Sequence, residues 1–216
     1  MRSRTGMNRA TIPIILLVFL TAGIVISGTP AAEAQETSYR AVIIRGAGHL
    51  PGAKPPEGPD AITQPTSEPG NTYVFSERLA KELAKNGIKT TIVEHTDCSD
   101  LSCINYTDAA GTRRAVDFVI LAGPSHGRYL PKPFLKLLPR LGEKLASHPG
   151  IICSSLISGN YTYRIVDTMV NTDVQLREIG AKTIPGLVFN SDVIQQELDE
   201  DVRDFVSKLV GATKDK

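Results

Sequence analysis

The stretch Ala115 to Gly123, AVDFVILAG, is the most continuous apolar run downstream of residue 34. It reads as a strand covered on both faces, so the neighbouring segments have to supply helices. They do. Val74, Phe75, Leu79, Ala80, Leu83 and Ala84 recur at helical spacing opposite Glu77, Arg78, Lys81, Glu82 and Lys85, and Asn86-Gly87 stops the pattern. Pro133 to Ala146 predicts a second helix, bent or divided at Pro139. Tyr161 to Ile179 predicts a third, burying Ile165, Met169, Val170, Val174 and Leu176 and capped by Gly180. A last helix starts in the acidic stretch 197–201 and ends near Gly211. Between the helices, strands are expected at AVIIRG ending at Gly46, at Lys89 to Glu94, at Gly150 to Leu156 and at Lys182 to Phe189. The segment His95 to Arg114 reads as an irregular connection with at most a short helix near its end. This alternation predicts an α/β fold, a doubly wound parallel sheet in three layers.

The first residues follow different rules. Arg2, Arg4 and Arg9 precede an uncharged run from Thr11 to Gly28, and Ala32-Glu33-Ala34 offers a small-x-small cleavage site. Residues 1–34 are therefore expected to be a signal peptide or, uncut, a membrane anchor, since the run is long enough to span a bilayer. Either way the domain 35–216 is expected outside the cytoplasm, periplasmic or extracellular, or held at the membrane with the domain outside. No twin-arginine pair is present, which favours the Sec route.

Charge and cysteines narrow the function. Taking three Arg and one Glu away from 24 basic and 23 acidic residues leaves 21 and 22, a formal charge of −1 for 35–216. That balance, without a basic stripe, argues against a nucleic-acid partner. In an oxidising compartment Cys98 and Cys103, five apart in a polar loop, would pair and leave Cys153 as a small core residue. His49, His95, His126 and His148 make no recognised ligand spacing with the cysteines, so no metal site is expected.

In a doubly wound sheet, ligands bind at the carboxyl ends of the strands, where the order reverses. Three loops are expected to meet there. SEPGNT, Ser67 to Thr72, opens the first helix with backbone N–H groups of Gly70, Asn71 and Thr72 and hydroxyls of Ser67 and Thr72 facing an anion. PSHGRYLP, Pro124 to Pro131, offers His126 and Tyr129, and SSLISGNYTYR, Ser154 to Arg164, offers Gly159, Asn160, Tyr161 and Tyr163. Residues 46–69, with six prolines from Pro51 to Pro69, form a long insertion between the first strand and the first loop.

On these motifs the chain resembles the flavodoxin-like superfamily, including its FMN-dependent NAD(P)H oxidoreductase branches, over roughly residues 39–210. The resemblance implies a five-stranded sheet ordered 2-1-3-4-5 with FMN at the edge between strands one and three. By position, Ser67, Gly70, Asn71 and Thr72 match its phosphate loop. Pro124, Ser125, His126 and Gly127 match the loop beside the isoalloxazine ring, with His126 in the place of a common aromatic and Tyr129 nearby. Ser155, Gly159, Asn160 and Tyr161 correspond to the second ring loop. The chain departs from the family in the length of the insertion, in Pro69, which lacks an N–H, and in its near-neutral charge.

Two functions are compatible with these residues. One is an exported FMN-binding redox protein passing electrons from a reduced donor, such as a reduced nicotinamide, to a quinone or another acceptor; no residue is singled out as a catalytic acid or base. The other is a flavin-free binding module that keeps the fold. A hydrolase has little support, because Ser125 and His126, adjacent in sequence, do not make a triad geometry.

Overall fold

The computed structural model describes residues 39–46, 70–125, 127–159, 162–190 and 195–213, with the side chains of 162 and 195–198 excepted. The signal or anchor, nearly all of the proline-rich insertion, and the candidate residues Ser67, His126, Asn160 and Tyr161 lie outside the described residues. The chain divides at Glu36/Thr37, and every described residue belongs to the second unit, Thr37–Lys216.

Strands β1 (Arg40–Arg45) and β2 (Lys89–Glu94) flank helix α1 (Asn71–Lys85) in sequence. A ribbon, β3 (Asn105–Thr107) and β4 (Arg113–Ala115), precedes β5 (Phe118–Pro124). Then come α2 (Lys132–Ser147), β6 (Ile152–Gly159), α3 (Thr162–Glu178), β7 (Lys182–Thr183), β8 (Leu187–Asn190) and α4 (Gln195–Thr213). The main sheet runs β2-β1-β5-β6-β7, and β8 also pairs with β6, all in parallel. This is the expected 2-1-3-4-5 order.

Side-chain alternation along β1 assigns the two core layers. Ala41 and Ile43 pack with Phe75, Leu79 and Leu83 of α1 and with Val202, Phe205 and Leu209 of α4. Val42 and Ile44 pack with Phe134, Leu138 and Leu141 of α2 and with Ile165 and Leu176 of α3. The Phe75 and Phe189 rings stack 4.0 Å apart, joining α1 to β8. Cys153 is fully buried in the second layer, and burial pushes its thiol up to about 12.

Several expectations are corrected. The fifth strand is broken: between Cys153↔Thr183 and Leu156↔Leu187 the chain takes three steps along β6 and four along its partner, a bulge of one residue. Pro185 has no N–H to give the ladder, and a Cβ on Gly186 would come within 2.2 Å of Ser155 Oγ. The fourth strand starts and ends later than expected and reaches Gly159, which takes Ser155 to Ser158 out of the loop. Ala115 belongs to the ribbon, not to the central strand. α2 is undivided despite Pro139. Val170 and Val174 are about half exposed, because the inward stripe of α3 runs instead through Ile165, Thr168, Thr172 and Leu176.

The connection from β2 to β5 carries no α-helix. The Cys98–Cys103 disulfide, with Cα atoms 5.6 Å apart, closes a turn into a 3-10 segment, Ser102–Ile104, which leads into the ribbon. Cys98, Leu101 and Ile104 cover β1 and β2 where a crossover helix would otherwise lie. Among the described residues no helix is long and apolar enough to cross a membrane.

Candidate functional site

The sheet order reverses between β1 and β5, since β1 leads into α1 on one face and β5 into α2 on the other. The crevice of interest lies at the carboxyl ends of these strands. Its first wall is the start of α1. Gly70 is the N-cap in an extended conformation with no side-chain cap bond, and the first turn contains no acidic residue. The Gly70 carbonyl accepts the N–H groups of Tyr73 and Val74 at 2.8 and 3.2 Å. Asn71 is exposed, and the leading N–H groups of the helix have no carbonyl within the helix to bond.

Thr72 is placed differently from the sequence expectation. Its hydroxyl is buried and sits 2.6 Å from Ser158 Oγ at the end of β6, while its carbonyl accepts Ser76 Oγ at 2.6 Å. The hydroxyl therefore anchors α1 to the sheet, which leaves the backbone N–H as the donor of Thr72 at the helix start. Ser158 also gives its carbonyl to the Ser125 N–H at 2.8 Å. One residue of β6 thus ties together the two loops that the crevice needs.

The second wall begins at Pro124, opposite Ser158 in the ladder. Ser125 Oγ lies 2.7 Å from Thr168 Oγ1 and donates to the Arg164 carbonyl at 3.1 Å, fixing the loop to α3. Gly127 and Arg128 both take positive φ, 60° and 78°. Gly127 accommodates this freely, whereas Arg128 is held by Asn171 Nδ2 donating to its carbonyl at 2.8 Å and by Asp167 at 3.3 Å. The turn leaves Tyr129 about half exposed, with Leu130 buried behind it. Ser155, expected in the second ring loop, is instead buried within β6 opposite Leu121, well short of the strand end. Gly159 does sit at that end, where a Cβ would come within 2.7 Å of Ile165.

Three residues that the sequence reading passed over, Arg45, Glu94 and Tyr73, complete the site. Arg45 ends β1 on the α1 face and is only 7% exposed. Its Nε and Nη2 donate to Glu94 Oε1 at 2.7 and 2.5 Å, and its guanidinium carbon stands 4.0 Å from the Tyr73 ring centroid. Its Nη1 is buried without a hydrogen-bond partner. A charge closing an otherwise apolar strand, AVIIR, was the available signal. The next residue has to be Gly46, because a Cβ there would strike the Phe134 ring at 2.0 Å.

These features define a flavodoxin-like fold, with a helix N-terminus at the switch point. Solved structures agree with that class. A flavodoxin from Streptococcus pneumoniae TIGR4 matches with TM-score 0.50 and 17% identity over 80% of this chain and 98% of its own. Oxidised flavodoxin 1 from Bacillus cereus gives 0.52 and 16% over 80% and 97%, and a WrbA-like flavodoxin from Agrobacterium tumefaciens 0.51 and 12% over 83% and 100%. No family model matches the sequence, and no curated protein matches it either.

Proposed function

We propose that the protein binds FMN in this crevice and serves as a redox protein outside the cytoplasm. The observation that carries the reading is the uncapped start of α1 at the switch point, with no carboxylate in its first turn and a buried, incompletely partnered guanidinium beside it. The residues present fit a phosphate there. Gly70, Asn71 and Thr72 would hold it through backbone N–H groups, with Ser67 as a further donor. The loop Pro124 to Gly127, with His126 and the exposed Tyr129, would lie beside the ring, and Gly159, Asn160 and Tyr161 would close the other side. Ser125, Thr168 and Ser158 fix the walls, which is the protein's share of the work; the bound flavin would supply the electron chemistry. Export by residues 1–34 is part of the proposal, as is an external donor such as NAD(P)H and an acceptor such as a quinone.

The competing flavin-free module gains one observation: the hydroxyls of Thr72 and Ser125 are engaged within the fold. Refolding the full chain with excess FMN decides between them. Saturable quenching of flavin fluorescence at one equivalent, with a shifted visible spectrum, is the expected outcome. A folded chain that leaves the flavin spectrum unchanged at every ratio would reject FMN binding.

A further inference from the structure

Arg45 stands at an electrostatically wrong place. The start of a helix carries a partial positive charge, so cations are favoured at the other end, yet this guanidinium is stacked against Tyr73 in the first turn of α1. Tyr73 belongs to that turn because its N–H bonds the Gly70 carbonyl at 2.8 Å. The first turn brings no carboxylate and its N-cap brings no side-chain acceptor. Glu94 answers the charge on one side only, through Oε1. Nη1 has its hydrogens buried and unmatched, a costly state for a donor on a charged group. Two positive features and an orphaned donor thus meet beside the first turn of α1, and an anion would answer all three.

We propose that Arg45 is an anion ligand, and that the crevice selects a phosphomonoester by joining this guanidinium to the N–H groups of α1. Identifying the phosphomonoester as FMN rests on the function proposed above; the anion site does not. Tyr73 and Glu94 act as positioning residues. The ring holds the guanidinium plane, and the carboxylate engages Nε and Nη2 so that Nη1 is the nitrogen left for the ligand. A neutral flavin without the phosphate gains nothing from this arrangement.

The test uses the full chain with inorganic phosphate, FMN and riboflavin as separate probes, followed by titration calorimetry and flavin fluorescence. Wild type is expected to bind inorganic phosphate, and to prefer FMN to riboflavin by roughly ten- to a hundredfold, the worth of one charge-assisted bond. Arg45→Gln leaves Glu94 without its partner and risks misfolding, so the deciding variant is the neutral pair Arg45→Gln with Glu94→Gln, checked for its fold by circular dichroism. In that variant phosphate binding should disappear and the FMN preference should fall by the same factor. Glu94→Gln alone keeps the Arg45 charge but loosens the hold that leaves Nη1 for the ligand, so phosphate and FMN should weaken several fold while riboflavin is unchanged, a split that a purely structural Glu94 would not produce. A folded double variant with wild-type phosphate affinity and wild-type preference would overturn the proposal. Phosphate binding that depends on Arg45, with no flavin bound, would sink the FMN reading and keep this one. Flavins bound equally well with no phosphate response would do the reverse.

Discussion

The crossover from β2 to β5 and the carboxyl ends of β1 and β2 treat their polar groups in opposite ways. In the crossover from β2 to β5, the carboxylates of Asp100 and Asp108 hold their own turns. Asp100 accepts the Ser102 N–H at 3.0 Å and its hydroxyl at 2.8 Å. Asp108 accepts the N–H groups of Ala110 and Thr112 and the Arg114 guanidinium at 3.0, 2.8 and 2.6 Å. The Arg140 guanidinium donates to the Ser99 carbonyl, so α2 also holds this loop. At the carboxyl ends of β1 and β2, a few residues away, Arg45 Nη1 and His95 Nδ1 are buried with no partner. Satisfied polar groups in the crossover do the work of a missing helix. Unsatisfied ones at the strand ends mark where the fold has kept bonding capacity in reserve.

The largest expected effect falls on the strand ends. Glu94→Ala removes the acceptor from a buried guanidinium and should destabilise the domain by about 3 kcal/mol in urea unfolding. If the variant is as stable as wild type, the Arg45 and Glu94 pair is only a surface contact and the contrast between the regions collapses. Next comes the crossover staple. Replacing Cys98 and Cys103 together by Ala should lower stability by about 2 kcal/mol against oxidised wild type, the entropy of a short loop. Against reduced wild type the difference should vanish, and a melting point indifferent to reductant would mean that the loop is held by Leu101, Ile104 and Asp108 without its disulfide.

The smallest effect is one of pH. The Arg114 bond, followed by the Thr112 and Ala110 N–H groups, holds the Asp108 carboxyl below its ordinary value. A depressed folded value means that the stabilisation is present above the ordinary carboxylate range and is lost as pH falls through the folded value. Melting curves of wild type and Asp108→Asn should therefore differ by a small constant near neutrality and converge in acid. Curves that stay parallel throughout would show that Asp108 acts through shape alone.

The contrast also explains which parts of the molecule were legible beforehand. Strands such as Lys89–Glu94 and helices such as Asn71–Lys85 are written locally, in apolar spacing, so the elements and their layers could be read from the residues, whereas the order of the sheet came only from the family resemblance. The ribbon was hidden because Asn105–Thr107 and Arg113–Ala115 are too short to show a period. Val170 and Val174 misled because a helix packed on one face of a sheet buries only a stripe, and threonines that bond back to their own helix, such as Thr168 and Thr172, fill it as well as valines do. At the site, Gly70 and Asn71 were legible as a helix start, whereas the role of Thr72 was not.

What the sequence determined by itself is whatever depends on neighbours in the chain: the longer strands and helices, their alternation, and the short spacing that lets Cys98 and Cys103 pair. What only the tertiary structure decided is which polar groups meet. Thr72 and Ser158 are 86 residues apart and bond at 2.6 Å; Arg45 and Glu94 are 49 apart and form the buried pair beside α1. Such pairs leave no periodic trace, because a hydrogen bond requires one atom at one distance, and that distance is set by the register of strands far apart in sequence.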